Sequence, residues 1–259
     1  MKVVILAGGF GTRISEESHL KPKPMIEIGG KPILWHIMKN FSYYGFNEFI
    51  ICAGYKQHVI KEYFANYFLY NSDVSFDFSK EGEMQIHHKY SDPWKVTIVD
   101  TGLNTMTGGR IKRIKEYVGN DDFFLTYGDA VGNLNIPEIL NLHKKNGKIG
   151  TISVYNFGQN KGVLEILNNG KVSAFREKSD LDGDVINIGY MVMSNKIFDY
   201  IDGDSTVFEQ KPLHNLVEDG QLYAYIHKGF WQCMDTLREK EKLEEMWNSG
   251  HAPWKIWED

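Results

Sequence analysis

The sequence predicts an α/β fold in which helices cover a parallel sheet, with a small β-rich insertion. Three observations carry this. Apolar strand-like runs alternate with helix-period segments through the first half of the 259 residues, the pattern of consecutive βαβ units. The opening run, Val3-Val4-Ile5-Leu6-Ala7, passes directly into Gly8-Gly9-Phe10-Gly11-Thr12-Arg13, so a strand ends in a glycine loop. Between residues 73 and 100 the rhythm changes to short alternating stretches.

Residues 3–7 read as a buried parallel strand because an unbroken apolar run leaves no polar face. Residues 32–44 read as a helix opened by Pro32 and closed by Gly45, and 49–53 as a second strand. An aromatic-rich helix is expected over 58–70, with Tyr63, Phe64, Tyr67 and Phe68 at helical spacing assigned to the core. The runs 74–78, 84–87 and 96–99 suit small antiparallel strands of an insertion or edge ribbon. The adjacent His87 and His88 would point to opposite faces there and are poorly placed to share an ion. Residues 108–117 read as a basic amphipathic helix. Residues 122–127 read as a central strand ending in Gly128-Asp129-Ala130, 137–146 as a helix, and 151–155 as the strand that completes the parallel part. From Gly162 onward the pattern is hairpin-like, with 163–167, the turn Asn168-Asn169-Gly170-Lys171, 172–176 and then 185–193. A last helix over 235–247 precedes the aromatic tail Trp254-Lys255-Ile256-Trp257, and no repeats or low-complexity tracts interrupt the chain.

Composition narrows the partners. A net charge of -5 with acids and bases interspersed offers no basic stripe for nucleic acid. No segment approaches the roughly 20 apolar residues that span a bilayer, and the N-terminal apolar run is too short for a signal peptide, so no membrane partner and a cytoplasmic location are expected. Cys52 and Cys233 have neither disulfide nor metal-ligand spacing, which suits a reducing compartment, and Cys233 lacks the neighbours that mark a thiolate nucleophile.

The chemistry concentrates in a few places. Gly8, Gly9 and Gly11 let the backbone approach a ligand closely, and main-chain N–H groups after a strand suit phosphate oxygens. The spacing fits neither Gly-Lys-Ser/Thr nor the dinucleotide G-x-G-x-x-G pattern, because Gly11 is followed by Thr12-Arg13-Ile14. Glycine spacing alone leaves an ordinary strand-to-helix turn equally open. Arg13 and Lys23, the latter braced in Pro22-Lys23-Pro24, tilt the balance towards a clamp on a nucleoside triphosphate. Asp129 follows the end of a buried strand, where open α/β sheets place ligand groups, and Asp235 opens the last helix; together they suffice as Mg²⁺ ligands. An N-cap role for Asp235 stays open. Thr105 and Arg110 sit in a second glycine-bearing loop that either edges the nucleotide or simply starts a helix with Thr107 as cap. Glu177-Lys178 offers an acceptor and a cation to a second substrate, against the plainer reading of hairpin surface charge. Asn187, inside an apolar strand, needs polar partners of the kind a polyhydroxylated ligand supplies.

These motifs agree in order and spacing with a known family. Gly8-Gly9-Phe10-Gly11-Thr12-Arg13, Pro22-Lys23-Pro24-Met25, Gly128-Asp129, Glu177-Lys178, Asn187 with Gly189, and Asp235 resemble the sugar-1-phosphate nucleotidyltransferases over nearly the whole chain. The stretches 28–36, 106–110, 229–232 and 252–255 resemble most closely the members that are glucose-1-phosphate cytidylyltransferases. The resemblance implies a Rossmann-like three-layer fold with a mixed, mostly parallel sheet. It implies a single domain over 1–259, with 1–130 mainly the nucleotide-binding half and 131–259 mainly the acceptor-binding half with the C-terminal helix and tail.

It also implies CTP as donor, Mg²⁺ as cofactor, and a cytidine diphosphate product with pyrophosphate, glucose 1-phosphate being the first acceptor to expect and polysaccharide biosynthesis the setting. Another phosphorylated sugar, polyol or small metabolite is the alternative acceptor; a catalytically silent nucleotide-sugar-binding subunit is the alternative of another class. In the family's terms Leu6, Ala7, Gly8, Gly9, Gly11, Thr12, Arg13, Lys23, Thr105, Arg110 and Gly128 line the nucleotide site. Arg13, Lys23, Asp129 and Asp235 carry catalysis, the two aspartates as metal ligands, while Gly162, Glu177, Lys178, Asn187 and Ile188 line the acceptor site. Departures from the usual pattern fall at Ala130, Lys161, Ser179, Ile188 and Cys233. A homo-oligomer is expected, with the tryptophan-rich tail as a subunit contact.

Overall fold

A computed structural model describes residues 1–80, 82–89, 92–156, 163–166, 172–176 and 185–258. Its centre is a seven-stranded sheet. Its strands are β1 (Val3–Ala7), β2 (Glu48–Ala53), β3 (Lys95–Asp100), β4 (Phe123–Tyr127), β5 (Gly150–Asn156), β6 (Val185–Met193) and β7 (Leu222–His227). Across the sheet the order is β7-β5-β6-β4-β1-β2-β3. β4, β1, β2 and β3 pair in parallel, as do β5 and β7; β6 alone runs against its two neighbours. This is the mixed, mostly parallel sheet that the resemblance implies.

Both faces of the sheet are covered, which is why β1 contains no polar residue. Val3, Ile5 and Ala7 enter one apolar cluster, with Ile33, Ile37 and Phe41 of helix α1 (Ile33–Tyr43). Val4 and Leu6 enter the other, with Ile111, Phe198 and Phe208. Further helices that matter to the site are α2 (Gln57–Ala65), α3 (Thr107–Arg113), α4 (Ile136–Asn146), α5 (Lys211–Glu218) and α6 (Leu237–Asn248).

Several local expectations change. The helix expected over 58–70 breaks at Asn66 into α2 and Tyr67–Tyr70. Its aromatics lie beside the sheet edge: Tyr63, Phe64 and Tyr67 are half-buried and Phe68 is exposed. The run 96–99 is β3, an edge strand of the main sheet and parallel to β2; an edge strand keeps one face partly wet, so its alternation imitates an antiparallel ribbon. The true ribbon is Ser72–Asp77 with Glu83–Lys89. The segment 108–117 divides at Ile114, with a second short turn over Lys115–Val118. Strand 185–193 lies inside the main sheet, while Val163–Ile166 and Val172–Arg176 pair antiparallel as expected.

The tail is the largest correction. Trp254 is fully buried and Trp257 nearly so, within the chain's own core, which removes them as a subunit contact. Trp254 Nε1–H donates to His36 Nδ1 at 3.3 Å, so the other ring nitrogen of His36 carries the proton it gives to Ile28 O at 2.9 Å. Asn40 Nδ2 secures the Trp254 carbonyl at 2.9 Å. No helix among the described residues is long and apolar enough to cross a membrane.

Candidate active site

The C-terminal ends of β4 and β1, with the segment that follows β3, open into a cavity of about 660 Å³. Ligands of open α/β sheets bind at that edge, because adjacent strands hand their chains to loops there. The loop after β1 supplies Gly8, Gly9, Phe10, Gly11 and Thr12 to the wall. Gly11 has φ +67, a conformation that favours glycine. Gly8 is required for another reason: a Cβ there would lie 2.1 Å from Arg110 Nη1.

Lys23 reaches the cavity from a single 3₁₀ turn, Lys23–Met25. Pro22 accepts from Met25 N–H at 2.8 Å and Lys23 O from Ile26 N–H at 3.1 Å, so the Pro-Lys-Pro segment is a closed turn. Pro24 then packs on the backbone of Gly128, where a Cβ would come within 2.9 Å of Pro24 Cγ and 3.0 Å of Leu6 O. That contact registers Lys23 against Asp129, one residue further on.

Asp235 arrives by a different route. Ala130–Gly132 and Trp231–Cys233 form a short antiparallel ribbon, and Met234 N–H donates to Asp129 O at 2.8 Å. The ribbon therefore brings the residues following Cys233 beside the residue preceding Ala130. The N-cap of α6 is Thr236, which forms a capping box with Glu239, while Asp235 N–H gives its proton to Glu239 Oε2 at 2.7 Å. The capping alternative for Asp235 is thereby answered: Thr236 does that work and the Asp235 carboxylate faces the cavity.

The two carboxylates converge on one cation. Lys23 Nζ lies 2.7 Å from Asp129 Oδ2 and bonds Asp235 Oδ1 as well. Burial opposes the charge on Lys23, but the field and hydrogen bonds of Asp129 and Asp235 outweigh it and hold the ammonium above its ordinary pKa. Among the described residues no cluster of three or more His, Cys, Asp or Glu side chains is placed for a metal ion. Two carboxylates at one position are nevertheless the donor set that Mg²⁺ takes when substrate phosphates and water complete its shell.

Most of the expected nucleotide residues meet here. Leu6, Ala7, Gly8, Gly9, Gly11, Thr12, Lys23, Thr105, Arg110, Gly128, Asp129 and Asp235 all line the cavity. Arg13 stands in the turn Thr12–Ile14 directly after the loop, and its side chain is outside the described set. Arg110 also holds the chain around it. It is almost fully buried and donates to Thr101 Oγ1 at 2.9 Å, Gly102 O at 2.7 Å and Leu103 O at 3.1 Å. Burial lowers its pKa, and its donors hold the far loop in shape. Thr107 is no cap either: its hydroxyl donates to Glu209 Oε2 at 2.7 Å and accepts from Phe208 N–H at 2.9 Å.

On the acceptor side Gly162, Glu177 and Lys178, with Lys161 and Ser179, lie outside the described residues. Asn187 Oδ1 accepts from Gly189 N–H at 2.9 Å, a local bond that meets part of its need. Ile188 is corrected: it is 2 % exposed and belongs to the core, because the chain between the ladder segments of β6 turns its side chain inward and leaves its carbonyl to accept from Trp231 Nε1–H at 3.1 Å. Cys233 is inert as expected, its thiol pushed up to about 12 by burial and by Glu239, Asp235 and Asp129. Sequence reading missed Leu103, Asn104, Tyr127, Val207 and Glu209, which also line the wall; no motif marks the segment that carries the last two.

Known proteins resemble this chain from end to end. Residues 2–259 match the family model described as nucleotidyl transferase. The chain is 55% identical over 259 residues to glucose-1-phosphate cytidylyltransferase of Salmonella typhimurium, all of both chains being covered. It is 44% identical to the probable glucose-1-phosphate cytidylyltransferase of Bacillus subtilis over 99% of this chain and 100% of that one. A UDP-glucose pyrophosphorylase structure complexed with UDP-glucose shares the fold, with TM-score 0.68, 18% identity, and coverage of 96% of this chain and 98% of the other. With its family model matched over nearly every residue and a curated relative alike along its whole length, the chain belongs to the nucleotidyl transferase family.

Proposed function

We propose that this protein is a glucose-1-phosphate cytidylyltransferase, transferring CMP from CTP to glucose 1-phosphate with release of pyrophosphate. The observation that carries the chemistry is the single Lys23 ammonium held by Asp129 and Asp235 beneath the glycine loop. The full-length 55% identity to the Salmonella enzyme supports the choice of substrates.

A phosphate oxygen of the acceptor attacks the α-phosphorus of CTP while the bond to pyrophosphate breaks on the opposite side. No protein nucleophile is needed, so the residues position groups and offset charge. The N–H groups after β1 cradle phosphate oxygens, Lys23 faces the triphosphate and leaves its two aspartates to do so, and Arg13 is the second cation assigned to it. Asp129 and Asp235 would hold a divalent cation, Mg²⁺ in our reading, which would supply Lewis-acid neutralisation of charge on the phosphates. Gly162, Glu177, Lys178 and Asn187 remain the residues proposed to face the acceptor. The protein is further proposed to act in the cytoplasm as a homo-oligomer.

Pyrophosphate release and product analysis test this. CTP, Mg²⁺ and glucose 1-phosphate are expected to yield CDP-glucose, with slower or no turnover for other sugar phosphates, polyol phosphates and other nucleoside triphosphates. Binding of CTP without release for any acceptor would favour a silent subunit; turnover with a different phosphate would reassign the acceptor.

A further inference from the structure

We infer that Glu209 accepts hydrogen bonds from the ribose hydroxyls of the bound nucleotide and makes the site selective for ribonucleotides; this rests on the CTP reading above. Glu209 lines the cavity and remains exposed there, and no motif of the family reading includes it. Its carboxylate is nevertheless fixed. Tyr127 Oη donates to Oε1, and Thr107 Oγ1 donates to Oε2 at 2.7 Å. Neither donor is loose. The Thr107 hydroxyl accepts from Phe208 N–H, and the Tyr127 ring fills the space over Gly189, where a Cβ would lie 2.2 Å from Tyr127 Cδ2.

An ionised carboxylate only accepts, and each of its oxygens here keeps a further acceptor position. A vicinal diol offers two donors at the matching spacing, the pairing by which an acidic residue reads ribose hydroxyls in dinucleotide folds. The anchors of Glu209 set which diol it meets. Tyr127 stands two residues before Asp129, one of the carboxylates proposed to serve the phosphates, and Thr107 directly follows Leu103 to Met106, which line the same cavity. In a nucleoside triphosphate the ribose lies between the base and the phosphates, and its hydroxyls would meet the carboxylate that these two residues hold.

The test compares CTP with 2′-deoxy-CTP and 3′-deoxy-CTP, in Mg²⁺, for the wild type, Glu209→Gln and Glu209→Ala. Calorimetric titration gives the affinity ratio, and pyrophosphate release with glucose 1-phosphate gives the kcat/KM ratio. The wild type is expected to favour CTP by about tenfold or more over at least one deoxy analogue, and Glu209→Ala to compress that to about twofold or less, with Glu209→Gln between. Ratios cancel the general effect of removing one negative charge near a triphosphate, and a role confined to folding would not move them. A wild type without the preference, or an unchanged preference in both variants, overturns the assignment. Lost discrimination between glucose 1-phosphate and 2-deoxyglucose 1-phosphate with the CTP preference intact also overturns it, by moving the contact to the acceptor. The titration needs no turnover, so absence of pyrophosphate release refutes the proposed activity separately.

Discussion

Replacing Lys23 by alanine separates its two jobs, because it removes a cation from two partners that need it at different times. In the ligand-free site the ammonium lies 2.7 Å from Asp129 and also bonds Asp235. During transfer it faces oxygens that gain negative charge. A unit charge about 4 Å from another is worth roughly 4 kcal/mol at an effective dielectric constant near 20, and loss of one positioned donor to a developing anion costs about 10²–10³ in rate. At about 1.4 kcal/mol per decade the two estimates agree on two to three decades of kcat. Lys23→Ala is therefore expected to lose about 10²–10³ of kcat, measured by pyrophosphate release, with unchanged far-ultraviolet circular dichroism. The same variant leaves two carboxylates without their internal cation, so its Mg²⁺ affinity without nucleotide is expected to rise above the wild type's, read by calorimetry. Lower turnover with tighter metal binding is the signature; a rate within about tenfold of wild type, or weaker metal binding, would refute the shared position of lysine and metal.

Two further predictions follow from packing. Gly8→Ala places a Cβ against Arg110 Nη1, and that guanidinium is already bonded to Thr101, Gly102 and Leu103. The substitution is expected to cost about 1–3 kcal/mol in denaturant melts, and distinctly less in an Arg110→Ala background; additive effects would show that the two do not meet. His36 is fully buried against Trp254, and burial lowers its pKa from 6.5 to about 4. Between those values the unfolded chain binds the extra proton and the folded chain does not. Stability is thus whole above pH 6.5 and falls by about 3 kcal/mol as the pH drops towards 4. His36→Asn should flatten that part of the pH profile, and an unaltered profile would place the titration elsewhere.

What was legible from sequence was whatever local chemistry dictates. Val3 to Ala7 announce a buried strand because no other setting tolerates an unbroken apolar run, and Gly11 and the Pro22-Lys23-Pro24 brace announce backbone geometry directly. Long-range placement was less accessible. The meeting of Asp129 with Asp235 depends on two strands of three residues each, too short to leave a periodic trace. Arg110 reads in sequence as a cation for the ligand, and nothing local reveals that the Gly102 and Leu103 carbonyls will also surround it. Trp254 and Trp257 read as an exposed tail because a terminal segment shows its own apolarity but not the groove that receives it. Glu209 carries no pattern at all; only the fold sets it opposite Thr107 and Tyr127.

The same geometry alters the weight of the departures from the family pattern. The resemblance implies glycine, a small residue and proline where Ala130, Ile188 and Cys233 stand, and near the sugar even one methylene would shift discrimination by roughly 1–3 kcal/mol. Ala130 and Cys233 are cross-strand partners in the ribbon beneath the two aspartates, and the Cys233 thiol points to Glu239 Oε1 at 3.6 Å. A pair of substitutions on facing positions of one ladder is a single adjustment of that ribbon, and its effect is on how Asp129 and Asp235 are held. Ile188 fills core volume. None of the three lines the described cavity, so none selects an acceptor by contact there. The departures that retain a claim on specificity are Lys161 and Ser179. Returning Ala130 and Cys233 together to the family's glycine and proline should accordingly leave the preference for glucose 1-phosphate over other sugar phosphates unchanged; a shift in that ratio would put the ribbon back among the acceptor contacts.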